Sequence, residues 1–138
     1  MNYKEELVRI LELAGPERIR RPIFDGNNKL LAKGVADEKD GRLDDFSKID
    51  FSGKTVVDLG CNFGLYSLFA RKQGAKHVLG VDQDELVIQG AEVLRDMQKI
   101  QKVDFKTANL IAPSFSEYFD ITLLVDFFRK ASIIKGIK

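Results

Sequence analysis

The run Thr55-Val-Val-Asp-Leu-Gly-Cys-Asn-Phe-Gly64, answered by Val78-Leu-Gly-Val-Asp82, constrains this chain more than any other feature. It reads as a buried strand, a glycine-bearing turn, a helix, and a second buried strand that ends in a carboxylate. Two apolar strands joined through a helix lie parallel, with a right-handed crossover. An open backbone turn and an acidic side chain then fall along one edge of the sheet. An adenosine-containing ligand needs both: close approach to the main chain, and an acceptor for ribose hydroxyls.

The pattern continues on either side. Leu65–Gln73 reads as a helix closed by Gly74. Asp84 is placed to cap a helix over roughly 85–100, with Val87, Ala91 and Leu94 as its inner stripe. Val103–Ala108 is a third strand, polar at alternate positions and so nearer a sheet edge. Phe119–Val125 is a fourth. The expected fold class is α/β, a Rossmann-like parallel sheet of about four core strands with helices on both faces. Upstream, residues 3–14 form an amphipathic helix through Leu7, Ile10, Leu11 and Ala14, stopped by Gly15-Pro16. Asp25-Gly-Asn-Asn28 is a turn signal between Pro22–Phe24 and Lys29–Ala32, the tip of a hairpin. Glu17-Arg-Ile-Arg-Arg21 reads as a solvated basic turn, with a contact to an anionic substrate or RNA as the alternative; Asp37–Gly41 reads as an exposed loop, and Leu43–Ile49 as a short helix. The chain thus divides into an N-terminal helical and loop extension, 1–50, and a partial cofactor-binding domain, 51–138.

Bulk properties exclude several classes. With 22 Lys plus Arg against 21 Asp plus Glu, the net charge is +1, so no global field draws the protein to nucleic acid or anionic lipid. A single cysteine, Cys61, rules out an internal disulfide and any zinc spacing, and no metal is expected. The N-terminus has no signal-peptide core, and no apolar run approaches the ~20 residues of a membrane span, so a cytoplasmic location is expected.

The turn discriminates between ligands. In Gly60-Cys61-Asn62-Phe63-Gly64-Leu65 the second glycine of a dinucleotide fingerprint is Asn62, and Leu65 falls where tight helix–strand packing asks for another. The turn's backbone N–H groups, with the start of the next helix, are expected to face the crevice and welcome an anion there. Asp58 suits a ligand bearing an ammonium and a sulfonium and repels pyrophosphate; alternatively it orders the loop. Asp82, 24 positions after Asp58, is placed to accept ribose hydroxyls, and Gln83 to lie on the adenine edge. Tyr66 either touches the cofactor or packs on the sheet. Cys61 has no histidine near it in sequence and reads as a small loop residue. His77, the only histidine, reads as a strand-end residue.

At these residues the chain resembles the class I S-adenosylmethionine-dependent methyltransferases. The matching pieces are Val56-Val-Asp-Leu-Gly-Cys-Asn-Phe-Gly64, Gly74-Ala-Lys-His-Val-Leu-Gly-Val-Asp82 and Phe119-Asp-Ile-Thr-Leu-Leu124, within roughly residues 52–128. The wording Gly60–Ser67 followed by Arg71-Lys-Gln-Gly-Ala75 is similar to a subgroup that includes tRNA wobble-uridine modifying enzymes. The resemblance implies S-adenosylmethionine as cofactor, with S-adenosylhomocysteine as product. It implies that Gly60, Cys61, Asn62 and Gly64 line its methionine end beside Asp58, and that Asp82 holds ribose. Asn109 would meet the adenine amino group and Leu110 would offer an N–H to the ring. Val125 and Asp126 would lie beside the sulfonium, with Asp126 the candidate polar group at the acceptor, a small molecule or RNA. The family's core has seven strands and this chain carries about four, which implies a truncated copy, a homodimer that completes the sheet, or a cofactor-binding module without catalysis. A dinucleotide-dependent oxidoreductase is the further alternative, disfavoured by Asn62 and Asp58.

Overall fold

The computed structural model describes residues 2–34, 42–110 and 118–125. In chain order the elements are α1 (Tyr3–Ala14), a 3-10 turn (Pro16–Arg18), β1 (Ile23–Phe24), β2 (Leu30–Ala32), α2 (Arg42–Ser47), β3 (Thr55–Leu59), α3 (Leu65–Lys72), β4 (His77–Asp82), α4 (Glu85–Met97), β5 (Val103–Thr107) and β6 (Ile121–Leu123).

The four long-range strands form one parallel sheet in the order β5-β4-β3-β6. The two inner strands are nearly all buried, whereas β5 is largely exposed along one side. That is why β3 and β4 read as apolar runs while β5 alternates, as expected of an edge. Because β3, β4 and β5 are successive neighbours, their crossovers step the same way and bring α3 and α4 to one face. Tyr66, Leu68 and Ala70 of α3 and Val87, Val93 and Leu94 of α4 share a core with Val56, Val78 and Val103. The other face carries Val57, Leu79 and Val81, met by Leu59, Ala108, Leu110 and Phe119. The expected helix on that face would fall in the β5–β6 connection, where 111–117 lie outside the described residues.

The N-terminal segment is bound into this core. Asn2 and Glu5 cap α1 reciprocally, and its Leu7, Ile10 and Leu11 join the main core through α4. Gly15, at φ +78°, ends α1, with its amide on the Leu11 carbonyl. The hairpin forms where Asp25-Gly-Asn-Asn28 predicts it. The Asp25 carboxylate accepts from the Asn27 and Lys29 amides at 2.8 and 2.9 Å, and Asn28 takes φ +62°. The expected exposed loop at Asp37–Gly41 lies outside the described residues.

A clasp closes the start of the sheet. The Thr55 amide and hydroxyl donate to Asp120 Oδ2 at 2.9 and 3.2 Å, and the Asp120 amide donates to Thr55 Oγ1 at 3.0 Å. The Thr55 amide and then its hydroxyl hold the Asp120 carboxyl below its ordinary value of 3.8. The folded state therefore takes up that proton less readily than the unfolded chain. The clasp stabilises fully above the ordinary value and is lost as pH falls through the lowered one. Asp120→Asn is expected to lower the urea midpoint near neutral pH, and the difference is expected to shrink in acid as the pH falls below the ordinary value of 3.8. An equal difference at neutral and acid pH would remove the clasp from the acid response.

Candidate functional site

The turn after β3 is built on alternation. Gly60, Asn62 and Gly64 take φ of +77°, +53° and +83°, while Cys61 and Phe63 between them do not take positive φ. Glycine enters this region without strain, and asparagine is among the residues that tolerate it best. Asn62 thus satisfies a backbone requirement that the sequence comparison with a dinucleotide fingerprint treats only as a missing glycine.

The turn holds itself closed, which corrects the expectation that its amides face the crevice. Gly60 N and Cys61 N donate to the Val81 carbonyl at 2.8 and 3.0 Å. Asn62 N donates to Asp82 Oδ2 at 2.8 Å, and Phe63 N to Asn62 Oδ1 at 2.8 Å. Gly64 N donates to the Cys61 carbonyl at 2.9 Å. Each amide from 60 to 64 has an acceptor inside the protein. What this end of the turn keeps for an anion is the partial positive charge at the start of α3.

A second correction concerns the basic cluster. Arg21 is not solvated: it is 8% exposed, its Nε donates to Tyr66 Oη at 2.7 Å, and its guanidinium lies 5.6 Å from the Tyr66 ring centroid. Tyr66 is also in tilted contact with Phe46, at 4.9 Å between centroids. Asn62 Nδ2 donates to the Arg18 carbonyl at 3.0 Å, and the Arg18 side chain pairs with Asp84 at 3.5 Å. The 3-10 turn therefore grips the glycine turn and the cap of α4 together.

The sheet order sets the remaining candidates in a row. Asn109 follows β5, Asp82 ends β4, Gly60 follows β3 and Val125 follows β6, all at the carboxyl ends of adjacent strands. Ala108 N donates to the Asp82 carbonyl at 2.9 Å, which draws the end of β5 against this point. Asp82 has no accessible surface; besides Asn62 N it accepts from Asp84 N, through Oδ1 at 3.0 Å. Asp84 separately caps α4 by accepting from Leu86 N at 3.1 Å. Asp58 lies two residues deeper in the sheet than Asp82, buried at 1% exposure, and accepts from the Ser67 hydroxyl at 2.8 Å. That bond fixes the first turn of α3 on β3, and Ser67 was not evident in the sequence as a site-shaping residue. Gln83 and Asn109 are exposed, Leu110 is buried in the second core, and Val125 is half-buried against the first. Cys61 is buried, with its thiol 3.5 Å from the Asn62 carbonyl. His77 sits at the far end of β4, 2.8 Å from Asp104. Asp126 lies outside the described residues. Among the described residues no cluster of His, Cys, Asp and Glu could hold a metal, and no helix is long and apolar enough to cross a membrane.

The profile of the ribosomal protein L11 methyltransferase (PrmA) family matches residues 41–123, from α2 through all four strands of the parallel sheet. The chain belongs to this family. A PrmA relative, the ribosomal protein L11 methyltransferase of Clostridium perfringens, is 34% identical over 86 residues, covering 59% of this chain and 26% of that protein. Protein arginine N-methyltransferase 1 of Saccharomyces cerevisiae is 46% identical over 44 residues, 32% of this chain and 13% of its own length. Among solved structures, an S-adenosylmethionine dependent methyltransferase from Mesorhizobium loti superposes with a TM-score of 0.50 at 28% identity, covering 59% of this chain and 36% of that one. The chain thus spans about a quarter or less of the length of these curated relatives. The PrmA match begins after the hairpin, so α1, the basic turn, β1 and β2 fall outside it.

Proposed function

We propose that this chain binds S-adenosylmethionine along the carboxyl ends of β3, β4 and β5 and serves transfer of its methyl group to an acceptor. The observation that carries this reading is the bond between the glycine turn and the acid ending the neighbouring strand, Asn62 N to Asp82 Oδ2 at 2.8 Å. It ties the two parts that a nucleoside with an amino-acid tail would touch. The family match and the relatives named above support the same cofactor.

Bound there, the cofactor would supply a methyl on a sulfonium, open to direct displacement by an acceptor lone pair. The protein's part is then alignment and exclusion of water rather than covalent catalysis. In this reading Gly60, Cys61, Asn62 and Gly64 shape the wall at the methionine end. Asp82 holds the turn and the ribose, Gln83 and Asn109 lie at the adenine, and Leu110 backs it from the core. Asp58 acts through Ser67 by placing the start of α3, and Val125 borders the methyl. Asp126 remains the proposed polar group on the acceptor side. A dinucleotide is the weaker fit, because pyrophosphate relies on turn amides, and the five from 60 to 64 are already engaged.

Titration calorimetry is expected to show binding of S-adenosylhomocysteine and none of NAD. Binding of NAD alone would overturn the cofactor. Transfer of a radiolabelled methyl group, assayed with bulk tRNA and with ribosomal protein as acceptors, then separates an enzyme from a cofactor-binding module. Cofactor binding without transfer to either favours the module.

A further inference from the structure

A cavity of about 310 Å³ is lined by the hairpin, the glycine turn, α3 and α4. Of the residues proposed to hold the cofactor, only Cys61 and Asn62 reach it; Asp58, Gly60, Asp82, Gln83 and Asn109 do not. Its hairpin wall precedes residue 41, where the family match begins. The volume is that of a small-molecule site.

The lining combines apolar side chains with three cationic ones. Its apolar part is made by Leu65 and Leu68 of α3, Leu94 of α4, and Ile23 and Phe24 of β1. Arg20 and Arg21, just before β1, and Lys72, the last residue of α3, also line it. The one carboxylate on the lining, Asp25, is turned to its own loop amides. Arg21 is engaged by Tyr66, and the Lys72 ammonium donates to Gln98 at 2.9 Å. Arg20 Nε is shielded from water and meets no acceptor among the described residues. A shielded donor without an acceptor is costly, and a guanidinium is satisfied best by a carboxylate or phosphate.

The geometry points to a second ligand site, separate from the cofactor crevice, that takes a small organic anion. The charged group lies at Arg20 and the apolar body against the leucines of α3 and α4. The charge on the lining, three cations against one carboxylate held elsewhere, excludes a cationic ligand.

Phenyl phosphate is the probe, titrated into the full chain and followed by backbone amide shifts, with inorganic phosphate and benzylamine as controls. Phenyl phosphate is expected to shift the amides of Ile23, Phe24, Leu65 and Leu68. Inorganic phosphate, lacking the apolar body, is expected to bind more weakly, and benzylamine not at all. Arg20→Gln is expected to weaken phenyl phosphate by about tenfold or more, the effect of losing a hydrogen bond to a charged group. Lys72→Gln is expected to leave it within about twofold. Both side chains reach the surface, and an unchanged melting temperature will show that each variant folds. Saturation with S-adenosylhomocysteine is expected to leave phenyl phosphate binding intact. Displacement by S-adenosylhomocysteine would assign the cavity to the cofactor and overturn the proposal. So would equal binding of benzylamine, indifference to Arg20→Gln, or no binding. If S-adenosylhomocysteine fails to bind while phenyl phosphate does, the cofactor reading falls and the anion site stands.

Discussion

Asp82→Ala is expected to lower the stability of the fold by about 2–4 kcal/mol and to weaken S-adenosylhomocysteine by about 1–3 kcal/mol. The two effects have different origins. Stability falls because the amides of Asn62 and Asp84 lose their acceptor where no water replaces it. In the proposed binding mode, affinity falls because the ribose hydroxyls lose theirs. Asp82→Asn separates these contributions. It keeps the shape and one carbonyl acceptor, so one of the two amides stays paired and the stability loss should be about half. Its NH2 cannot accept, so the affinity loss should remain near that of the alanine variant. Urea unfolding and calorimetry on both variants decide the matter. Full affinity in a folded Asp82→Asn protein would make Asp82 a loop anchor and nothing more.

Gly64→Ala is expected to cost about 2–4 kcal/mol, from two additive causes. The residue sits at φ +83°, where an L side chain is strained. A Cβ there would also lie 2.7 Å from the Phe105 ring and 3.3 Å from the Ala91 methyl. Only the second cause can be relieved from outside the turn. In the double variant Gly64→Ala/Phe105→Leu the loss should therefore be smaller than the sum of the single losses by about 1 kcal/mol. Strict additivity in urea unfolding would show that the ring is not the obstacle and leave backbone strain as the whole effect.

The regular half of the molecule was legible because its signals are local. The stripe of Leu7, Ile10 and Leu11, the cap at Asp84 and the apolar runs of β3 and β4 each state their own geometry, and the elements stand where they predict. β6 is shorter than the apolar stretch around it, because pairing to β3 covers only Ile121–Leu123. The row of candidates at the strand ends follows from the same signals. Two features were not legible, both because the partner is distant. Arg21 reads as solvated among its charged neighbours, whereas its bond to Tyr66, 45 positions on, is made in a buried place. The glycine turn shows which residues bend it, but not that the Val81 carbonyl and the Asp82 carboxylate, on another strand, would take up its amides. The alternation of Gly60, Asn62 and Gly64 was the available hint that the turn has a tightly specified path.

The sheet order has a consequence for how the molecule comes into being. β3, β4 and β5 can zip together from chain neighbours, but β6 must double back past two finished strands to reach Val56, 65 residues behind Ile121. Closing so wide an arc is entropically slow. While a ribosome is still extending the chain, the outer flank of β3 stands bare, and a nascent polypeptide is most exposed to a wrong partner there.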